Sequence, residues 1–239
     1  MRKKKSPIEE IAAIDSEAHL YPVVQFWDGP LCPWHITEIY SSIRLSGNMI
    51  EEEVGSVFAQ LVNYNDLPSG GEAKDVLDKI INSSRLILPG GIQVRETAAK
   101  VINPGCCCGL EGWREWLRFL QTGTSPWLGH SPMAYVEKVD SLVRVHSSEK
   151  AGAFHIDFEY SKFKAQLKKV QQDLIDFLLI IEIWAAGLGF PEPQKLSRKF
   201  DEYFTISHEL SKYNLLRNGG MLNLGISLPA PKKLRRKRR

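Results

Sequence analysis

The feature that most constrains the fold is a long segment of helical periodicity that begins near residue 161. Apolar side chains recur along it at three- and four-residue spacing, the pattern of a helix that packs one face on a core; they are Phe163, Leu167, Val170, Leu174, Phe177, Leu178, Ile181, Trp184 and Ala185. The second half also carries Leu179 and Ile183 on another face, so a second element must cover it. Glycines and prolines in 187–193 end this helix, and the pattern after them predicts a further helix that folds back. The sequence therefore predicts a C-terminal helical hairpin.

The rest of the chain combines short strands and helices. Alternating β-branched and aromatic residues bounded by turn residues predict three strands of an antiparallel meander; these are 133–139, 142–146 and 153–158. The same pattern predicts strands at 21–27 and 99–102, and two more across a tight turn within 85–94. Helical spacing predicts helices at 49–62 and 73–81. We therefore predict an α+β fold, with an antiparallel sheet of about five to seven short strands, helices on one side and the C-terminal helical hairpin.

Charge is distributed unevenly along the 239 residues. The formal net charge is +3, but eleven of the 31 Lys and Arg residues lie in two terminal runs, 2–5 and 232–239. The rest of the chain then has 20 basic residues against 28 acidic ones, a net charge near −8. An acidic body repels nucleic acid unless its charges are segregated, so binding of nucleic acid by the body is disfavoured.

These runs also define the predicted domain organisation: a basic N-terminal arm at 1–7, a single α+β domain at 8–228 and a disordered basic tail at 229–239. The tail has too little apolar surface to offset the entropy of ordering. Its cations suit contact with nucleic acid or another polyanion; they are Lys232, Lys233, Arg235, Arg236, Lys237, Arg238 and Arg239. The N-terminus turns acidic where the apolar core of a signal peptide should follow, and no apolar run is long enough to span a bilayer. We expect a cytoplasmic protein without a membrane span.

The least ordinary local chemistry is a glycine-punctuated turn at 103–112 that carries three adjacent cysteines toward an aromatic helix. Adjacent side chains on an extended chain point to opposite sides, which disfavours two neighbouring ligands to one metal ion. We favour small buried thiols that pack the turn, and we predict no cofactor and no metal. The alternatives are reactive thiols at Cys106, Cys107 and Cys108, or a metal-ligand set completed by His130 or His35.

The helix after this turn is predicted to lay an apolar stripe that includes Trp113 on the core, while Arg114 faces elsewhere. Gly123 is the predicted C-cap. Upstream, Cys32 lies three residues before His35, and a packing role in a loop is favoured there over a nucleophilic one.

Candidate binding side chains are aromatic residues and a histidine, because loops that hold such groups on short backbone suit recognition; they are Trp127, His130, Trp113 and Trp34. For Trp127 the alternative is a cover for the edge of the core. No nucleophile, base and orienting acid are identifiable together, so no catalytic residue is assigned.

A polar face is predicted on the meander. His155, Asp157 and Glu159 share one strand face by period two, opposite apolar neighbours, so we interpret them as the solvated face of a half-buried strand. A metal or acid–base cluster that includes His146 is the alternative.

Two motifs, Pro-Gly-Cys-Cys-Cys-Gly-Leu-Glu at 104–111 and Ser-Pro-Trp-Leu-Gly-His at 125–130, resemble those of a group of uncharacterised bacterial proteins. The resemblance covers roughly residues 86–185 and carries over no catalytic residues. It implies a function akin to that of immunity proteins, which neutralise toxins.

The expected function is therefore a non-enzymatic cytoplasmic protein-binding module, in the manner of an immunity-like inhibitor of a toxin. One alternative is a thiol- or metal-dependent enzyme that uses the Cys106–Cys108 turn with His130. Another is a nucleic-acid-associated protein that acts through its basic tails.

Overall fold

A computed structural model describes residues 17–26, 31–37, 42–130, 133–150 and 152–208. They belong to a compact unit that ends at His208. The basic arm at 1–7, the tail at 229–239 with its seven cations, and both domain boundaries lie outside the described residues and stay predictions. Among the described residues, no helix combines the length and the apolar character needed to cross a membrane.

Seven strands and five α-helices follow one another along the described chain. The strands are β1 (His19–Gln25), β2 (Ser42–Arg44), β3 (Gly90–Arg95), β4 (Val101–Ile102), β5 (Tyr135–Val139), β6 (Leu142–His146) and β7 (His155–Glu159). The helices are α1 (Glu51–Tyr64), α2 (Ala73–Asn82), α3 (Glu115–Thr122), α4 (Tyr160–Gly187) and α5 (Pro193–Phe204), with a 3₁₀ helix at Leu110–Gly112 before α3. The predicted α+β class is confirmed, and so are the C-terminal helices.

The strands form two antiparallel sheets rather than one. The first has the order β2-β1-β3-β4, and the second is the predicted meander β5-β6-β7. Between them the chain runs through the cysteine turn, α3 and the loop that follows it. After this connection β5 pairs with β6 in a new sheet, while β4 pairs with β3 in the first.

Helix α4 joins the two sheets through one aromatic core. It packs on β1 of the first sheet and on β6 and β7 of the second, and also against α1 and α5. Near its start, Phe163 meets the rings of Phe119 and Phe158 at centroid distances of 6.1 and 5.3 Å. Near its end, Trp184 stacks on Phe58 at 4.7 Å. Burial of each such side chain stabilises the fold by about 1.5–3 kcal/mol, so the buried apolar face of α4 holds the two sheets together.

The second apolar face of α4 stays open in the described part of the chain. Leu179 is 58% exposed and Ile183 is 66% exposed. The predicted covering element is therefore not found among the residues that the structure describes, because α5 covers the other side through Phe200 and Phe204.

The predicted hairpin within 85–94 is wrong. Only β3 is a strand there, and the residues before it pair with other partners. The carbonyl of Leu88 accepts from the Leu110 N–H at 2.8 Å, and the N–H and carbonyl of Ile87 both bond the side chain of Asn65. Leu86 and Leu88 are buried as the period-two pattern predicts, but the backbone of this segment bonds to Asn65 and Leu110 rather than to β3.

Candidate functional site

The cysteines lie in a tight turn whose backbone is unusual. The N–H of Cys108 donates to the carbonyl of Gly105 at 3.3 Å, which makes Cys106 and Cys107 the two central residues of a β-turn. Cys107 has a φ of +64°, the left-handed conformation that favours glycine. This conformation breaks the alternation of an extended chain, so the two adjacent thiols do not have to point to opposite sides.

His130 is brought to this turn by its own loop. The N–H of Gly105 donates to the carbonyl of Leu128 at 2.9 Å. A Cβ atom at Gly129 would lie 2.7 Å from the carbonyl carbon of Gly105, so only glycine lets the two backbones approach this closely. The glycine between Leu128 and His130 therefore holds the histidine beside the cysteine turn.

Three potential ligand atoms converge as a result. The thiols of Cys106 and Cys107 and a ring nitrogen of His130 all lie within 4.8 Å of one another, and all three side chains are exposed. In the part of the chain that the structure describes, no other three His, Cys, Asp or Glu side chains meet this closely. The prediction of buried thiols is thus wrong for Cys106 and Cys107, and of the two histidines considered, it is His130 that joins them.

Cys108 belongs to different surroundings. Its thiol donates to the carbonyl of Trp127 at 3.7 Å, and burial raises the pKa of this thiol to about 12. Desolvation and the neighbouring Cys106 also raise the pKa of Cys107. A catalytic thiol needs a lowered pKa to be a thiolate at neutral pH, so Cys107 and Cys108 are poorly suited to nucleophilic catalysis.

Trp127 is an exposed aromatic side chain in a fixed setting. It is 52% exposed, and its ring packs edge-on against that of His130 at 4.8 Å. Its backbone N–H donates to the carboxylate of Glu115 at 2.8 Å, which ties the loop to α3. The ring is therefore presented to solvent, where it can contact a partner.

His130 also lines a groove of about 760 Å³. Its walls are the chain leading into the cysteine turn and the connection between β6 and β7, and they include Pro104, Phe154 and Lys150. Met133, which is 50% exposed, also lines it. Trp127, His130 and Met133 together form what we call the Trp127 surface.

The other two predicted binding tryptophans belong to the core. Trp113 is fully buried and its indole N–H donates to the carbonyl of Phe204 at 2.8 Å. Trp34 is nearly buried, donates to the carbonyl of Gly55 at 2.9 Å and meets Trp184 edge-on at 5.3 Å. The side chain of Trp113 has no surface to offer a partner, and that of Trp34 has little.

Cys32 and His35 lie apart from the cysteine turn, beside Trp34, in a cavity of about 450 Å³. Burial raises the pKa of Cys32 to about 11, so its thiol is protonated at neutral pH. This agrees with a packing role for Cys32 in its loop.

Arg114 is a structural residue that the helical pattern missed. It was predicted to face away from the core, yet it is only 1% exposed. Its guanidinium donates to the carbonyls of Thr205, Ile206 and His208 at 2.5, 3.2 and 2.6 Å. The helical spacing predicted a surface position for Arg114 because no residue near it in the sequence indicates that the chain after α5 returns to this point.

The polar face of the meander is confirmed as solvated. Across the three strands, Tyr135 pairs with His146 and His146 with His155, and the first two rings stack at 4.2 Å. In the next row, Arg144 holds Asp157 through two hydrogen bonds of 2.7 Å. The guanidinium of Arg144 accordingly lowers the pKa of that carboxyl.

Comparison with protein-family models, curated proteins and solved structures finds no match for this chain. The resemblance carried by the motifs at 104–111 and 125–130 therefore stays a prediction.

Proposed function

We propose that this chain is a non-enzymatic protein-binding module that recognises its partner through the Trp127 surface. The observation that carries the proposal is the half-exposed ring of Trp127, anchored through its backbone by Glu115 and packed against His130. Tryptophan is among the residues that dominate binding energy at protein interfaces, and fixing it before binding reduces the entropy lost on association.

The surroundings of Trp127 favour a protein partner. Met133 adds a flexible, polarizable side chain of a kind that adapts to partner surfaces. The groove of about 760 Å³ beside it accommodates a side chain or a short loop of a partner. In the immunity-like form of the proposal, that partner is a toxin whose activity falls when this surface covers it.

We also place the protein in the cytoplasm as part of this proposal. All four cysteines are free in the structure, and thiols persist in a reducing compartment. The acidic body predicted for the chain gives it a preference for partners with basic surfaces.

Site-specific photo-crosslinking in the source cells tests the proposal. A benzophenone amino acid replaces Met133 on the Trp127 surface or Leu179 on α4, two positions that are 50% and 58% exposed. We expect an adduct of one defined mass from position 133, its loss on Trp127→Ala, and none from position 179. Adducts from position 179 alone would overturn the proposal and move the binding surface to α4.

A second candidate, chemistry at the Cys106–Cys108 turn with His130, is favoured by the convergence of three donor atoms within 4.8 Å. For thiol catalysis the raised pKa values of Cys107 and Cys108 are unfavourable. Metal binding is the form of this alternative that the geometry supports.

A further inference from the structure

The exposed donors at the cysteine turn have the chemistry of a metal site. Thiolate and imidazole are the ligands of zinc, with Zn–S distances of about 2.3 Å and Zn–N distances of about 2.0 Å. In a tetrahedron with bonds of this length the ligand atoms are separated by somewhat less than 4 Å, so only small side-chain rotations are needed from the observed separation of up to 4.8 Å.

We propose that Cys106, Cys107 and His130 bind a zinc-class divalent ion, with the fourth coordination position left to solvent. Two thiolates and one neutral imidazole match the three-ligand sets of open zinc sites, whereas structural sites usually have four protein ligands. On binding, each thiol releases its proton to the buffer and no group changes oxidation state. This inference does not rest on protein binding by the Trp127 surface.

The backbone gives independent support. The second central position of a β-turn with positive φ is normally glycine, and the left-handed conformation costs another residue about 1–2 kcal/mol. The chain places Cys107 there, with a φ of +64° and an exposed side chain that buries little surface in compensation. Strain of this kind persists where a side chain is needed for function. Here the left-handed turn leaves the Cys107 thiol within 4.8 Å of the Cys106 thiol and of a ring nitrogen of His130.

The loop that holds His130 is equally specific. Gly129 has a φ of +93° and its backbone lies against Gly105 and Cys106 with no room for a side chain. The histidine is also held from the side by the ring of Trp127. Two segments distant in sequence are thus fixed at the distance that a shared ion requires.

The test uses the full chain, reduced, with Zn²⁺ or Co²⁺ alone as the probe. We expect one ion per chain, in competition with a chromophoric chelator, and the charge-transfer and visible bands of tetrahedral Co²⁺ bound to thiolate. Cys106→Ser, Cys107→Ser and His130→Ala should each weaken zinc binding at least about 100-fold, because loss of an outer-shell partner alone costs about 10- to 100-fold.

Cys108→Ser is the matched control, since its thiol lies in the same turn but donates to the Trp127 carbonyl. It should change zinc affinity by less than about threefold, well below the effect of an outer-shell loss. Cys107→Gly removes a ligand while relieving the turn, so its loss of metal cannot reflect unfolding. Absence of zinc binding by the folded, reduced chain would overturn the proposal. So would equal losses in Cys108→Ser and Cys106→Ser, or an affinity that does not depend on His130.

Discussion

Replacing each central cysteine of the turn by glycine should change stability in opposite directions. Cys107 has the left-handed conformation, so Cys107→Gly removes about 1–2 kcal/mol of backbone strain. Glycine also raises the entropy of the unfolded chain, which costs about 0.5–1 kcal/mol. Both side chains are exposed, so little burial is lost. The free energy of unfolding should therefore rise by about 0.75 kcal/mol in Cys107→Gly, the difference between the midpoints of these two costs.

Cys106 is the matched control because it lies in the same turn without a positive φ. Cys106→Gly has only the entropic cost, so its free energy of unfolding should fall by about 0.5–1 kcal/mol. Urea unfolding in reductant and chelator measures both variants free of metal. With a slope of about 1–3 kcal/mol per molar urea, the two midpoints should differ by roughly 0.5–1.5 M. If Cys107→Gly is destabilised as much as Cys106→Gly, Cys107 is not left-handed, and the reason why both thiols reach His130 is refuted.

Three further predictions concern the core, a thiol and the tail. Arg114→Lys keeps the charge but loses the planar guanidinium that donates to three carbonyls, so the free energy of unfolding in urea should fall by about 3 kcal/mol. The control Arg118→Lys, at an exposed position on α3, should lower it by less than about 0.5 kcal/mol. Burial raises the pKa of the Cys108 thiol to about 12, so iodoacetamide at pH 8 should label Cys106 far faster than Cys108. Peptide mass spectrometry measures both rates, and comparable rates would contradict the burial of Cys108. Because the fold favours the protonated thiol of Cys108, the free energy of unfolding should fall as pH rises from the ordinary thiol pKa of 9.0 toward the raised pKa of about 12. Deleting 232–239 should leave the melting temperature unchanged and abolish retention on a polyanion column at low salt, whereas a marked fall in melting temperature would show that the tail is part of the fold.

Much of the fold could be predicted because its periods are long and consistent. The helical spacing that begins near residue 161 persists over α4, and burial alternates residue by residue along β6 and β7 of the meander. Gly123 ends α3 in the left-handed conformation, as a C-cap glycine should. Where local pattern and tertiary burial agree in this way, the sequence is enough.

The predictions fail where burial comes from distant segments. The residues before β3 have the sequence pattern of a strand, but their backbone bonds to Asn65 and Leu110. Arg114 has the pattern of a surface residue, but its guanidinium donates to the chain after α5. No local pattern contains those partners.

The sequence predicts the residues of the candidate site but not that they lie close together. The cysteines and His130 are visible in the sequence, but their meeting depends on a left-handed Cys107 and on close backbone packing at Gly129. A cysteine carries no signal for positive φ, so adjacent thiols were expected to diverge. The positive φ available to Gly129 was a signal in principle, although it does not say which backbone lies against it.

We propose above all that the Trp127 surface binds a protein partner. The most direct measurement is the affinity of the purified chain for the partner identified by crosslinking, by calorimetric titration of the wild type, Trp127→Ala and Leu179→Ala. A buried tryptophan anchor contributes at least about 2 kcal/mol, so Trp127→Ala should weaken binding by about 30-fold or more, and Leu179→Ala should leave it nearly unchanged. An unchanged affinity in Trp127→Ala, or a larger loss in Leu179→Ala, would contradict the claim.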